Sequence, residues 1–141
     1  MLNISGINNG VVLDHIQAGK SMDIYHYLNL QELDCQIAII KNAKSNKMGR
    51  KDIIKIDRIL DLDWDVIGYV DPGITVNIIK DGQRVEKRQL KLPERIRNVI
   101  RCKNPRCITS VEQELPQIFT LTDREKRTYR CLYCETKAER Q

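Results

Sequence analysis

The stretch "RKDIIKID", residues 50–57, alternates in character from one position to the next. Ile54 and Ile56 fall on one side of an extended chain, and Lys51 and Lys55 fall on the other. Such alternation predicts a β-strand with one face on an apolar core and one face open to water or to a ligand. The stretch therefore favours a sheet whose second face carries lysines.

Further strands and helices are predicted before and after this strand. Branched apolar runs predict further strands at residues 10–16, 34–41 and 74–79, and a hairpin turn predicts one more at residues 83–88. Two helices are predicted, in residues 22–30 and 60–70, and the pair Asp81-Gly82 predicts a hairpin turn. The order strand, helix, strand, strand, helix, strand predicts an α+β fold, a ferredoxin-like antiparallel sheet with both helices on one face.

Local patterns add finer expectations for the first helix and the second strand. Ser21 is predicted to cap the first helix, with Met22, Tyr25 and Leu28 at helical spacing. Cys35 is predicted to be a small buried side chain on the second strand.

The pattern changes at Pro93, within "LKLPERIRN". We place a domain boundary near Leu92, which gives one domain at residues 1–92 and a second, small all-β domain resembling a zinc ribbon at residues 93–141. The second domain is too short to fold on apolar burial alone, so we expect a bound metal to contribute to its stability.

The second domain contains four of the five cysteines, in the pieces "RCKNPRC" and "RCLYC". Two close pairs joined by a loop supply four thiolates to a tetrahedral Zn²⁺. The predicted ligands of one structural zinc ion per chain are Cys102, Cys107, Cys131 and Cys134. Four protein ligands leave no position for a metal-bound water, which disfavours catalysis by this ion. A redox pair at Cys131 and Cys134 is an alternative that leaves the other pair unexplained.

Composition limits the location and the partners of the chain. The apolar runs, such as "GVVL", are far shorter than the roughly 20 residues that cross a bilayer, and the amino terminus lacks a secretory pattern. We therefore expect a cytoplasmic protein without membrane contact, where clustered cysteines bind metal. From Glu94 onward the chain has 11 Lys and Arg against 7 Asp and Glu, so the cysteine domain is its more basic part.

The open sheet face is the candidate ligand site. Lys51 and Lys55 leave one strand roughly 13 Å apart, a spacing that suits an elongated anion. Solvated lysines are the common alternative on such a face. Asp14 and His15 are adjacent on a strand, so we expect them to point to opposite faces. Motifs for a nucleophile, a phosphate loop or a dinucleotide fold do not occur, and we expect neither catalytic residues nor enzymatic activity.

Several of these pieces occur together in one known family. The motifs "GVVLDHI", "MGRKDIIKI", "TVN" and "LPERIRNVI", followed by the C-x4-C and C-x2-C pairs, resemble the regulatory chain of aspartate carbamoyltransferase over nearly the whole sequence. The resemblance implies a non-catalytic chain with an amino-terminal domain for the effectors CTP and ATP, and UTP in some members. It also implies a zinc domain that contacts the catalytic chain.

The resemblance further assigns roles to individual residues. The implied nucleotide site comprises Ile7, Asp14, His15, Lys51, Lys55, Asn77, Ile79 and Lys87. Lys55 would reach the ribose and base region, and Lys51 and Lys87 would contact the ribose or the phosphates. Ile7 or its neighbours would lie near the base. Asn104 and Glu135 would touch the catalytic chain. In the family, regulatory dimers form through their nucleotide domains, and three dimers bridge two catalytic trimers.

Two positions depart from the family pattern. Gly82 stands where family members have a larger side chain near the nucleotide, and Arg106 replaces a small polar residue between the first two cysteines.

The alternative function is a zinc-ribbon protein that binds nucleic acid, favoured by the basic second domain. Because that domain has few aromatic residues for base stacking, we expect no nucleic-acid partner.

Overall fold

The computed structural model describes residues 6–138 and divides the chain into two compact units, residues 1–91 and 92–141. The outermost ends of the two predicted domains, residues 1–5 and 139–141, lie outside the described residues. Among residues 6–138, none of the helices has the length and hydropathy of a membrane-spanning segment.

The first unit consists of five strands and two helices. In chain order they are β1 (Gly10–Gln17), α1 (Ser21–Tyr27), β2 (Ile37–Ser45), β3 (Gly49–Ile56), α2 (Trp64–Val70), β4 (Thr75–Lys80) and β5 (Gln83–Gln89). A short 3-10 turn at Leu30–Glu32 follows α1. The strands lie in the order β2-β3-β1-β4-β5 with antiparallel neighbours, and α1 contacts both α2 and β3. The predicted ferredoxin-like α+β fold is confirmed.

The two faces of this sheet differ as the alternation predicts. Ile54 and Ile56 of β3 are fully buried, as is Leu13 of β1, and they form the core with the helices. Lys51 and Lys55 are only half-buried. Burial of aliphatic side chains on one face provides the main stabilisation of such a unit, and the other face remains available to a ligand.

The buried carboxylate of Asp52 connects three backbone segments of the first unit. Asp52 accepts hydrogen bonds from the amides of Gly19 at 3.0 Å, Ser21 at 3.2 Å and Asn42 at 2.8 Å. Burial would raise the pKa of Asp52, but the hydrogen bonds that its carboxylate accepts hold that pKa below the ordinary value. Asp52 therefore joins the loop after β1 to the irregular middle of β2.

Two expectations for the start of α1 and for Cys35 are wrong. The residue before α1 is Lys20, and Ser21 is already inside the helix, where it is buried with Ile24 while Met22 is exposed. Cys35 lies in a bend before β2 and is only half-buried, because the paired part of β2 begins at Ile37.

Strand β1 contains a bulge that the alternating pattern does not reveal. Its register against β3 pairs Leu13 with Ile54 and Ile16 with Asp52, so Asp14 and His15 together oppose a single residue. His15 has a φ of 60°, in the left-handed region. The predicted placement of Asp14 and His15 on opposite faces is wrong, because His15 Nδ1 lies 3.9 Å from Asp14 Oδ2.

The second unit is a small three-stranded sheet with a cysteine cluster. Its elements are β6 (Arg95–Arg97), α3 (Ile108–Val111), β7 (Ile118–Asp123) and β8 (Thr128–Cys131), and the strand order is β6-β7-β8. Phe119 and Tyr129 fill its core, and the Tyr129 hydroxyl donates to the carbonyl of Pro93. Apart from the single turn α3, this unit has the predicted small β architecture.

Candidate ligand face and metal centre

The open face of the sheet carries one row of side chains across neighbouring strands. Lys55 of β3 pairs with Val12 of β1, Val12 pairs with Asn77 of β4, and Asn77 pairs with Lys87 of β5. Three strand spacings separate the two lysines, or roughly 14 Å. The fold thus brings three of the predicted nucleotide residues into one line.

Polar atoms on this face lack partners in the described chain. Asn77 Oδ1 and His15 Nδ1 are buried, and neither has a hydrogen-bond partner within residues 6–138. Lys55 and Lys87 form no ion pair in the same part of the chain. Buried polar atoms without partners are costly, so Asn77 Oδ1 and His15 Nδ1 are suited to a ligand that supplies the missing hydrogen bonds.

One end of the face is apolar. Gly10 pairs with Ile79 of β4, and a Cβ placed on Gly10 would lie 2.7 Å from Cγ2 of Ile7 and 2.1 Å from the carbonyl oxygen of Ile56. The absence of a side chain at Gly10 lets Ile7 lie close to the strand. Ile7 and Ile79 therefore flank one position, as expected for an apolar wall against a ring.

The opposite end is polar and charged. Lys51 Nζ lies 2.9 Å from Asp14 Oδ1, and the two side chains are 17% and 23% exposed. Burial would raise the pKa of Asp14, but the Lys51 ammonium and the amide of His15 hold that pKa below the ordinary value. All eight predicted nucleotide residues thus belong to the first unit, with the apolar pair and the charged group at different ends.

The four predicted metal ligands converge in the second unit. Their sulfur atoms all lie within 4.8 Å of one another, with Cys102 Sγ 3.5 Å from Cys134 Sγ and Cys107 Sγ 3.7 Å from Cys131 Sγ. These separations are much longer than the disulfide bond of roughly 2.0 Å. No disulfide therefore joins these four cysteines, and their sulfur atoms are arranged around a common centre as in a metal site.

The pKa values of two cysteines in the cluster are shifted in opposite directions. Burial, with the nearby sulfurs of Cys134 and Cys131, raises the pKa of Cys102 to about 12. Burial would also raise the pKa of Cys134, but hydrogen bonds from Thr136 lower it to about 6. Burial and the neighbouring sulfurs thus disfavour four simultaneous thiolates in the bare cluster, and a divalent cation at the centre would compensate their charge.

Residues that sequence reasoning missed hold the cysteines in place. The Thr109 hydroxyl donates to Cys107 Sγ at 3.1 Å, and Thr136 Oγ1 lies 3.1 Å from Cys134 Sγ. Gln117 Oε1 accepts from the amide of Cys102 at 2.9 Å. Thr109 and Thr136 each lie two residues after a cysteine, which is the only sequence signal for them, and Gln117 has none.

The two predicted partner contacts lie beside the cluster. Asn104 Nδ2 donates to Thr136 Oγ1 at 3.3 Å, and its Oδ1 accepts from the amide of Arg106 at 3.0 Å. Its side chain therefore shapes the loop between the first two cysteines. Glu135 is exposed, with a φ of 66°, and its amide donates to the carbonyl of Cys131 at 2.9 Å.

Comparison with known proteins agrees with this geometry. Residues 2–91 match the family model described as "Aspartate carbamoyltransferase regulatory chain, allosteric domain", and residues 94–141 match the "metal binding domain" of the same chain. The aspartate carbamoyltransferase regulatory chain of Clostridium botulinum is 52% identical, with 96% of this chain and 92% of the relative covered. That of Bifidobacterium longum is 42% identical, with 98% and 99% covered.

An α+β sheet unit followed by a small unit with a four-cysteine cluster defines a two-unit chain with a candidate metal centre. More specifically, the chain belongs to the family of aspartate carbamoyltransferase regulatory chains. It is a regulatory chain with an allosteric and a metal-binding domain, and not a catalytic chain. Membership implies a catalytic chain as partner, and it disfavours the redox and nucleic-acid alternatives.

Proposed function

We propose that the open sheet face binds a nucleoside triphosphate and that this binding regulates the catalytic chain of aspartate carbamoyltransferase. The observation that carries the proposal is the row from Lys55 to Lys87, with the buried, unpartnered Oδ1 of Asn77 between them. Two free ammonium groups flanking a hydrogen-bonding amide suit a ligand that is anionic and also has donor groups.

The polarity of the face supports an orientation for the nucleotide. The apolar pair Ile7 and Ile79 suits the base, and Lys55 lies within reach of the ribose and base. Lys87 would offset phosphate charge, and the polar end with Asp14 and His15 would hydrogen-bond the remaining ribose hydroxyls. Because the face offers one such arrangement, CTP and ATP would compete for it, and UTP would be a further ligand.

We infer that the cysteine cluster binds one Zn²⁺ per chain. A tetrahedral zinc ion with Zn–S bonds of about 2.3 Å has sulfur–sulfur edges of roughly 3.8 Å. The observed pairs at 3.5 and 3.7 Å are close to that edge. A four-thiolate shell is closed to substrate, so the ion would stabilise the unit and would not react.

The surface around this metal centre supports contact with the catalytic chain. Ile108 and Val111 of α3 are 51% and 75% exposed, and Leu132 and Tyr133 between the last two cysteines are 41% and 36% exposed. Large apolar side chains grouped around one centre are typical of an interface. With Asn104 and Glu135 at its polar margin, this surface is the proposed docking site.

The edge of the sheet supports pairing of two regulatory chains. Strand β2 is the outermost strand at one side, and its Ile37, Ile39 and Ile40 are only half-buried within the described chain. An edge strand with uncovered aliphatic residues is suited to a second copy. The proposed assembly has three regulatory dimers bridging two catalytic trimers.

The proposed role is regulation of de novo pyrimidine biosynthesis in the cytoplasm. Nucleotide bound to the first unit would shift the catalytic oligomer between two states, and the zinc unit would transmit the shift. Such regulation requires that the nucleotide bind the two states with different affinity.

Calorimetry on the chain co-purified with its catalytic chain tests this proposal. CTP and ATP should each bind saturably and compete, and each should change the aspartate dependence of the catalytic activity. Replacing Lys55 or Lys87 with Met should weaken binding at least tenfold, because a charge-assisted contact is lost. Lys47→Met, an exposed lysine in the β2–β3 turn, is the matched control. Saturable binding that survives loss of both Lys55 and Lys87 would refute the proposed site.

A further inference from the structure

Two threonine hydroxyls contact sulfur atoms of the cysteine cluster, one in each cysteine pair. Thr109 Oγ1 donates to Cys107 Sγ at 3.1 Å, and Thr136 Oγ1 lies 3.1 Å from Cys134 Sγ. Each threonine follows its cysteine by two residues, although Thr109 lies in α3 and Thr136 lies in the segment after β8. The two pairs thus carry the same side-chain contact in different local structures.

The position of Thr109 is fixed by burial. The helix α3 begins directly after Cys107, and its single turn leaves Thr109 only 1% exposed, whereas the neighbouring Ile108 is 51% exposed. A buried hydroxyl needs a hydrogen-bond acceptor, and the Cys107 sulfur is that acceptor. The bond between them therefore belongs to the interior of the second unit.

The position of Thr136 is fixed by contacts with both cysteine pairs. Its carbonyl accepts from the amide of Cys131 at 2.9 Å, which holds its backbone against the second pair. Its Oγ1 accepts from Asn104 Nδ2 at 3.3 Å, in the loop of the first pair. Asn104 is held by that loop, because its Oδ1 accepts from the amide of Arg106 and its carbonyl accepts from the amide of Cys107. Asn104 and Thr136 thus link the two pairs.

The direction of the bond between Thr136 and Cys134 depends on whether the sulfur carries a proton. As a thiol, Cys134 donates to Thr136 Oγ1. As a thiolate ligand it has no proton to donate, so the pair persists only if the Thr136 hydroxyl donates to the sulfur. A hydroxyl oxygen has two lone pairs, so the bond from Asn104 Nδ2 is compatible with both directions. Asn104 therefore orients Thr136 without occupying its proton.

Hydrogen bonds to thiolate ligands stabilise a closed metal site. A donor draws negative charge away from the sulfur and so offsets the repulsion among neighbouring thiolates. Residues that contact the ligands of a metal typically change its affinity about 10- to 100-fold. One hydroxyl donor in each cysteine pair is therefore expected to act on the metal centre as a whole.

We propose that Thr109 and Thr136 donate hydrogen bonds to the thiolates of Cys107 and Cys134 when the cluster holds its metal, and that Asn104 positions Thr136 for this bond. The two hydroxyls slow release of the metal, in addition to the four cysteines that bind it. The proposal rests on the inferred zinc centre and is independent of the nucleotide site.

Metal release and spectroscopy of the full-length chain test the hydroxyl of Thr136. Thr136→Val should release Zn²⁺ to an excess of chelator about tenfold faster than the wild type. In the Co²⁺-loaded chain, its sulfur-to-metal charge-transfer bands should move to longer wavelength, because a sulfur without its donor gives up electron density more easily. Thr136→Ser should restore both values. Thr122→Val, which removes a hydroxyl that donates to the carbonyl of Thr128 at 3.3 Å, is the matched control and should change neither.

A double-mutant cycle tests the positioning role of Asn104. Asn104→Ser keeps an acceptor for the amide two residues later and removes the amide donor to Thr136. It should speed Zn²⁺ release about threefold in the wild type, but less than about twofold when Thr136→Val is already present, because the two residues act as one unit. Additive effects of the two substitutions would overturn the positioning role.

Failure of the donor role differs from failure of the metal centre. If Thr136→Val and Thr109→Val both keep the wild-type release rate and charge-transfer bands, the donor role is overturned, as it is if Thr136→Ser does not reverse the effect of Thr136→Val. If Thr136→Val takes up no metal and Thr136→Ser does, the hydroxyl is required and the proposal is supported. If the wild-type chain takes up neither Zn²⁺ nor Co²⁺, the inferred metal centre itself fails.

Discussion

Cys102 Sγ lies 3.5 Å from Cys134 Sγ, although the two residues are 32 positions apart in the chain. The cysteines close a long loop, and the second unit has a core with few large side chains, chiefly Phe119 and Tyr129. Metal binding and folding of this unit are therefore expected to be coupled.

The first prediction follows from that coupling. Cys102→Ser, or removal of the metal by a chelator, should unfold residues 92–141 and leave the sheet unit folded. Metal content and amide NMR spectra measure both effects. Cys35→Ser, which alters the cysteine outside the cluster, is the matched control and should retain the metal. A Cys102→Ser chain that keeps a full complement of metal and native second-unit resonances would contradict the assignment.

The second prediction concerns the close approach at Gly10. A Cβ there would lie 2.1 Å from the carbonyl oxygen of Ile56, so the backbone must shift in Gly10→Ala. We expect a loss of about 1 to 3 kcal/mol in the free energy of unfolding, and weaker nucleotide binding because Ile7 is displaced. Denaturant titration and calorimetry measure the two effects. Gly6→Ala, where a Cβ meets nothing within 4 Å, should be nearly neutral.

The third prediction concerns Asp52 and acid stability. Asp52→Asn should cost about 3 kcal/mol of unfolding free energy, because the amide cannot accept from all three backbone groups. Since the folded pKa of Asp52 lies below its unfolded value of 3.8, its contribution is complete above that value and is lost as the pH falls through the folded pKa.

Unfolding experiments from pH 6 to pH 2 test this prediction, with Asp57→Asn as an exposed control. The wild type should lose stability below about pH 4 more steeply than the Asp52→Asn variant. If both proteins lose unfolding free energy equally as the pH falls, Asp52 is not the cause of the acid sensitivity.

The fourth prediction concerns the proposed docking surface. Val111→Asp should abolish or weaken by more than tenfold the association with the catalytic chain, because a charge would enter an apolar contact. Metal content should not change, since the side chain of Val111 is 75% exposed. Ile59→Asp, an exposed aliphatic residue of the first unit at 45%, is the control. Analytical ultracentrifugation of the mixed chains measures assembly, and unimpaired assembly of Val111→Asp would exclude this surface.

Local sequence patterns predict much of the fold. The alternation of residues 50–57 and the turn at Asp81-Gly82 predicted strands and a hairpin that the structure contains, because both signals depend only on neighbouring residues. The buried face of α1 was predicted less well. Ser21 and Ile24 are buried and Met22 is exposed, since the contacts of a two-turn helix depend on how it sits on the sheet.

The cysteine module and the two-faced sheet follow from the order of residues alone. Both follow from fixed periods: two closely spaced cysteine pairs for a tetrahedral ion, and alternate residues for a strand. The contacts of Asp14 with both His15 and Lys51 depend on the folded chain. A bulge shifts the period by one residue, and its position depends on the pairing of β1 with β3, which no local pattern encodes.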